Sequence, residues 1–95
     1  MDLHSLWIQI ASDLARARNT LPENAATHSA VKEYEDFLSH NELQLACEAL
    51  EEYAKSEPVT MDFWLALRDA ATNMQLPEHA NRYWNSANIV KHQQE

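Results

Sequence analysis

The sequence predicts an all-α protein, a compact bundle of four to five short helices arranged as antiparallel hairpins. Three observations carry that prediction. Apolar residues recur at three- and four-residue spacing in each long segment. No segment shows the β-branched alternation of a strand, since Ala, Leu and Glu dominate while Val, Ile and Thr are few. The chain of 95 residues also contains no glycine, where average usage would supply about six or seven. Glycine is the residue that most readily turns a hairpin or lets backbone approach a phosphate. Its absence therefore favours helices joined by polar turns. It also removes the P-loop, the dinucleotide fingerprint and the G-x-S-x-G nucleophile elbow.

Residues 1–95 make one helical domain with a modest core. The first helix is predicted from about Leu3 to Arg18, with Leu3, Leu6, Trp7, Ile10, Leu14 and Ala17 on one stripe. In "NTLPEN", Thr20 and Glu23 stand in capping-box register, and Pro22 fits a first turn. The second helix is read from there to about Ser39, with Ala30, Val31, Tyr34, Phe37 and Leu38 inward. Asn41 is the expected cap of a third helix, about Glu42 to Lys55, whose stripe holds Leu43, Ala46, Cys47, Leu50, Tyr53 and Ala54. Pro58 stops it, because the residue before a proline avoids helical backbone. Thr60 caps a fourth helix, Met61 to about Met74, with Phe63, Trp64, Leu67, Ala70, Ala71 and Met74 on one face. Pro77 opens the fifth, with Ala80, Tyr83, Trp84, Ala87 and Val90 inward.

Short connections make consecutive helices antiparallel neighbours, so helices two and three form one hairpin, four and five another. The second hairpin places Trp64, Leu67, Ala80, Trp84 and Ala87 at tetratricopeptide spacing, but Arg68, Ala71 and His92 depart from that repeat. All three tryptophans, Trp7, Trp64 and Trp84, fall on apolar stripes, so a core position is expected for each. Ile8 and Leu65 lie off their stripes, where either can anchor a partner or a dimer contact.

The net charge is −8, from 15 acids and 7 bases. Residues 32–62 hold nine of the acids against Lys32 and Lys55, a net of −7, which leaves −1 for the remainder. Glu33 and Asp36 share a face of helix two. Glu48, Glu51 and Glu52 are expected to project away from the core on helix three, with Glu42 at its start. A field of this sign repels nucleic acid and attracts basic proteins. The plainer reading of the same residues is a solvated face that keeps a small protein in solution.

Nothing in the sequence assembles into an active site. Glu48 and Glu52, four apart on an exposed face, lack the burial that separates the pKa values of an acid–base pair. His4, His28, His40, His79 and His92 form no H-x-x-x-H pattern, and the single cysteine, Cys47, faces inward. No metal, no cofactor and no enzymatic activity are expected. The start "MDLHSLWIQIASDL" has neither the basic opening nor the continuous apolar run of a secretory signal. No stretch reaches the ~20 apolar residues of a membrane span. A cytoplasmic protein is expected.

The stretch "YEDFLSHNELQLACEALEEYA" resembles the small helical immunity proteins of bacterial polymorphic toxin systems, notably the MafI type. The likeness rests on Tyr34, Phe37 and Leu38 at a helix end, then His40 and Glu42, then Leu43, Leu45, Ala46 and Leu50 before an acidic helix end. "MQLP", Met74 to Pro77, behind an aromatic-started helix at Phe63 and Trp64, is also similar. The likeness covers about residues 31–77 and departs at Gln44, where the family pattern carries glycine. It implies a protein that binds and blocks a cognate toxin, often a nuclease. The expected function is thus an acidic module that occludes a basic toxin domain, with Glu33, Asp36, Glu42, Glu48, Glu51 and Glu52 as its contact residues. The alternative is a tetratricopeptide-like adaptor that holds a peptide or partner helix in a groove lined by Tyr83 and Trp84.

Overall fold

The computed structural model describes residues 3–93. Among them run α1 (Leu3–Asn19), a 3-10 turn (Glu23–Thr27), α2 (Ser29–Ser39), α3 (Leu43–Ser56), α4 (Met61–Asn73) and α5 (Pro77–Gln93), with no strand. The all-α prediction holds. α2 pairs with α3 and α4 with α5, as the short connections require, and α1 docks along α4. Cross-links from Asp13 to Asn73 and from Arg16 to Asp69 fix α1 and α4 as antiparallel. One cluster of buried side chains runs through all five helices, from Ile10 and Leu14 through Val31, Leu50 and Phe63 to Tyr83. The radius of gyration is 12.7 Å, close to the ~12 Å of a compact domain this size.

Several local expectations give way to better hydrogen bonds. Thr20 does not cap the second helix, because its hydroxyl donates back to the Ala17 carbonyl at 2.7 Å and closes α1 instead. The chain then makes the 3-10 turn, and α2 starts at Ser29. There the His28 imidazole Nδ1 accepts the Ala30 N–H at 3.1 Å. Asn41 does not cap α3. It is a left-handed residue, φ 56°, that ends α2. Thr60 does cap α4, accepting the Phe63 N–H at 3.3 Å. Glu57 is extended before Pro58, as that proline demands.

The tryptophans divide. Trp64 packs against the core and stacks on Tyr83 with centroids 5.9 Å apart. Trp7 and Trp84 remain 39% and 45% exposed. Trp7 lies on the predicted stripe, but α4 ends before covering it, since Asp13 already pairs with Asn73 in α4's last turn. Leu3 is exposed for the same reason, whereas Ile8 is exposed as its off-stripe position predicts.

A chain without glycine must end helices with other residues. Asn41 and Gln75 (φ 59°) are the two positive-φ residues among those described. Each follows a helix and completes the same pair of reversed hydrogen bonds. The Glu42 N–H donates to the Phe37 carbonyl and the Asn41 N–H to that of Leu38; Leu76 donates to Ala71 and Gln75 to Thr72. A side chain in this region costs about 1–2 kcal/mol, with asparagine the better tolerated. Gln75→Gly is therefore expected to raise the unfolding free energy by about 0.5–1 kcal/mol, and Asn41→Gly by less, as read from urea midpoints.

Candidate functional site

The predicted contact acids do not form a uniform solvated face. On α3, Glu48 and Glu51 turn towards α5. The His79 ring nitrogen lies 3.0 Å from Glu48. Arg82 grips Glu51 with a two-pronged fork, Nε at 2.6 Å and Nη2 at 2.9 Å, and the Tyr83 hydroxyl donates to the same carboxylate at 2.9 Å. Glu51 is a structural anchor. Glu52 faces outward and meets Lys55 at 3.0 Å, both well exposed. On α2, Asp36 stands 3.8 Å from His40, and Glu35 leans towards Arg18 on α1 at 4.0 Å. Glu33 is exposed, and Glu42 occupies the cap position of α3 without a side-chain cap bond. Glu33, Asp36, Glu42 and Glu52 are thus the predicted acids that remain turned to solvent.

Chemistry at the α3–α5 junction is that of a lock. Tyr83 is fully buried, so it cannot line the peptide groove expected of the adaptor reading. The Cys47 thiol donates to its hydroxyl at 3.7 Å. Burial pushes the thiol pKa up to about 12, so Cys47 is no nucleophile at neutral pH. Burial likewise raises the Tyr83 phenol, which therefore stays protonated and able to donate. For Glu51, burial opposes ionisation, but the bonds from Arg82 and Tyr83 outweigh it and hold the carboxyl below its ordinary value.

A second polar cluster, missed by the sequence analysis, joins α1 to α4. Asp13 is 1% exposed. Its carboxylate accepts from Gln9 at 3.0 Å, from Arg16, and from Asn73 at 2.7 Å. Arg16 also reaches Asp69 at 3.3 Å, and Asp69 meets Arg68 at 3.1 Å. Arg68 in turn lies over the Trp84 ring, 4.9 Å from its centroid. A signal was present, because Asp13 follows Ile10 by three residues and so borders the apolar stripe. Every carboxylate oxygen of Asp13 and Asp69 has at least one partner within this cluster, which ties α1 to α4.

Where α1 overhangs α4, the surface opens into two hollows. One, of about 320 Å3, is floored by Leu6, Ile10, Leu43 and Met74 and rimmed by the amides of Asn41, Gln44, Asn73 and Gln75. The other, of about 340 Å3, is lined by His4, Trp7, Ile8, Ala11 and Asn41. Trp7 and Asn41 border both, and no lysine or arginine lines either. Both left-handed residues, Asn41 and Gln75, stand on the rim of the first.

Among the described residues no group of three or more His, Cys, Asp or Glu gathers as a metal site. No described helix is long and apolar enough to cross a membrane. These features define a small acidic helical bundle with two open hollows beside Trp7. Comparison with protein-family models, curated proteins and solved structures finds no match to this chain.

Two predictions follow from the polar clusters. Glu51→Gln is expected to destabilise the fold by about 1–2 kcal/mol at neutral pH. A carboxyl depressed in the folded state contributes fully above its ordinary value and loses that contribution as pH falls through the lower folded value. The parent and Glu51→Gln unfolding curves should therefore converge below about pH 4.5; a constant gap across that range would exclude this ionic lock. Asp13→Ala removes the shared acceptor of Gln9, Arg16 and Asn73, leaves Arg16 its second partner Asp69, and should cost about 1–3 kcal/mol in a urea titration at pH 7.

Proposed function

We propose that this protein is a small acidic binding module that acts in the cytoplasm as an antagonist of a basic protein. A toxin domain, such as a nuclease, is the partner this reading favours. The mechanism is occlusion, without turnover. One observation carries the proposal, namely the disposition of the charges. Five of the 7 Lys and Arg residues (Arg16, Arg18, Lys55, Arg68 and Arg82) are engaged with acids of this same chain. The surplus of eight negative charges is therefore left to act on something outside it. Such a field steers a cationic partner into contact and accelerates association, most strongly at low salt. The resemblance to toxin-system immunity proteins over residues 31–77 points the same way.

Charge by itself also accompanies simple solubility, so the test must separate the two. Glu33 and Glu52 are the residues to reverse, because neither locks one helix to another. The double variant Glu33→Lys, Glu52→Lys should keep its helical circular dichroism and its melting temperature within a few degrees. Its association rate with a basic partner captured from the source cell's lysate should fall at least fivefold at low salt, with the difference shrinking at high salt. Unchanged capture by the double variant would remove the electrostatic mechanism. The helical-adaptor reading is favoured by a different observation, the open hollows beside Trp7, rather than by the α4–α5 hairpin that suggested it.

A further inference from the structure

We infer that His28 is a pH-operated latch at the corner where the 3-10 turn, α2 and the end of α3 meet. Neutral, its ring caps α2; protonated, it lets go of that helix and the corner opens. The inference does not depend on the acidic-antagonist reading. His28 joins two elements, as the residue that ends the 3-10 turn and the one that starts α2. Its backbone N–H donates to the Ala25 carbonyl at 2.9 Å, and its own carbonyl accepts from Val31 and Lys32, each at 3.1 Å. The ring adds a link to α3, meeting Tyr53 edge-on with centroids 4.9 Å apart.

The hydrogen bonds fix the tautomer. Nδ1 accepts the Ala30 N–H at 3.1 Å, so Nδ1 carries no proton, and in a neutral imidazole the proton then sits on Nε2. The other side of the ring agrees. The Ser56 hydroxyl donates its single proton to the Tyr53 carbonyl at 3.4 Å and so meets Nε2, also at 3.4 Å, as an acceptor. A second proton has only Nδ1 to occupy, where N–H would face N–H. The cap cannot survive it. Ala30 is buried, at 4% exposure. Its released N–H therefore reaches water only if the first turn of α2 opens, because a donor shut away unpaired is costly.

Charge decides the direction. A cation at the start of a helix is opposed by the helix dipole, and α2 has no acid in its first turn to offset it. Beside the ring is a hollow of about 200 Å3 lined by Asn24, Ala25, Thr27, His28, Tyr53 and Glu57. Burial raises the Tyr53 phenol, with Glu57 adding to the rise and Arg18 of α1 opposing it, so this group stays uncharged. Glu57 is therefore the one anion in the lining, while Glu23 of the 3-10 turn and Lys32 of α2 are exposed and outside it. The neutral ring belongs to Ala30 and the charged ring to Glu57, which gives the corner two arrangements separated by one proton. Imidazole is the side chain that ordinarily makes this change between about pH 5 and 8.

The test uses the full chain labelled with nitrogen-15. At pH 7.5, long-range proton–nitrogen correlation should show His28 with Nδ1 bare and Nε2 protonated. On lowering the pH to 5 the ring should become charged. The protection of the Ala30 amide against solvent exchange should then fall about fivefold or more, as for loss of a helix cap, while Leu67 in the middle of α4 keeps its protection. His28→Asn caps a helix without titrating and should hold the Ala30 protection equal at both pH values. A proton on Nδ1 at pH 7.5, a ring still neutral at pH 5, or an Ala30 amide equally protected by the charged ring would each overturn the latch. So would the same loss of protection in His28→Asn, which would place its cause elsewhere in the fold.

Discussion

The last helix depends on Tyr83. Of the described α5 side chains, Tyr83 and Ala87 alone are fully buried, so Tyr83 is the one large side chain that anchors these seventeen residues in the core. It makes several contacts at once. Its ring stacks on Trp64 of α4 and meets His79 edge-on, while its hydroxyl joins Glu51 and Cys47 of α3. A buried hydroxyl left without a partner costs about 1–3 kcal/mol. The requirement to satisfy it therefore fixes both the rotation of α5 about its axis and its register on α3. Arg82 and His79, flanking Tyr83 on the same helix, then find Glu51 and Glu48 already opposite them.

This requirement changes what the acidic residues mean. Glu51 is committed to the lock and Glu48 to His79. Glu23, Asp62 and Glu78 lie in the first turns of their helices, and Glu42 caps α3 in position, where negative charge favours the unpaired N–H groups. Much of the charge that looks like one binding face in sequence thus has a local structural use. What remains for long-range attraction is the uncancelled total, with Glu33, Asp36 and Glu52 as its most solvent-directed members on α2 and α3.

The α1 overhang belongs to the same pattern of incomplete coverage. α4 stops at Asn73, where Gln75 turns the chain in a left-handed conformation, and the amide of Asn73 is drawn onto Asp13. Extending α4 would bury Trp7 but would abolish that turn and the hydrogen bonds that close it. The hollows are thus a consequence of where the helix ends. Glycine at position 41 or 75 would relieve the backbone, but it would also remove an amide from the rim.

Much of the architecture was legible in the sequence. Helical spacing, the absence of glycine, Pro58, Thr60 and Pro77 determined five helices and two hairpins, because periodicity, capping and proline stops act within a few residues of one another. The burial of Cys47, Leu50 and Phe63 was equally legible from their stripes. The docking of α1 on α4, the exposure of Trp7 and Trp84, and the pairing of Glu51 with Arg82 were decided only in the tertiary structure. A helical stripe states which way a side chain points, and its partner's length and register decide whether anything lies there. Acids 31 residues before their partners, as Glu48 is before His79 and Glu51 before Arg82, carry no local trace of the pairing. Their charge could be counted from the sequence, but which of them face solvent depended on how α5 came to rest.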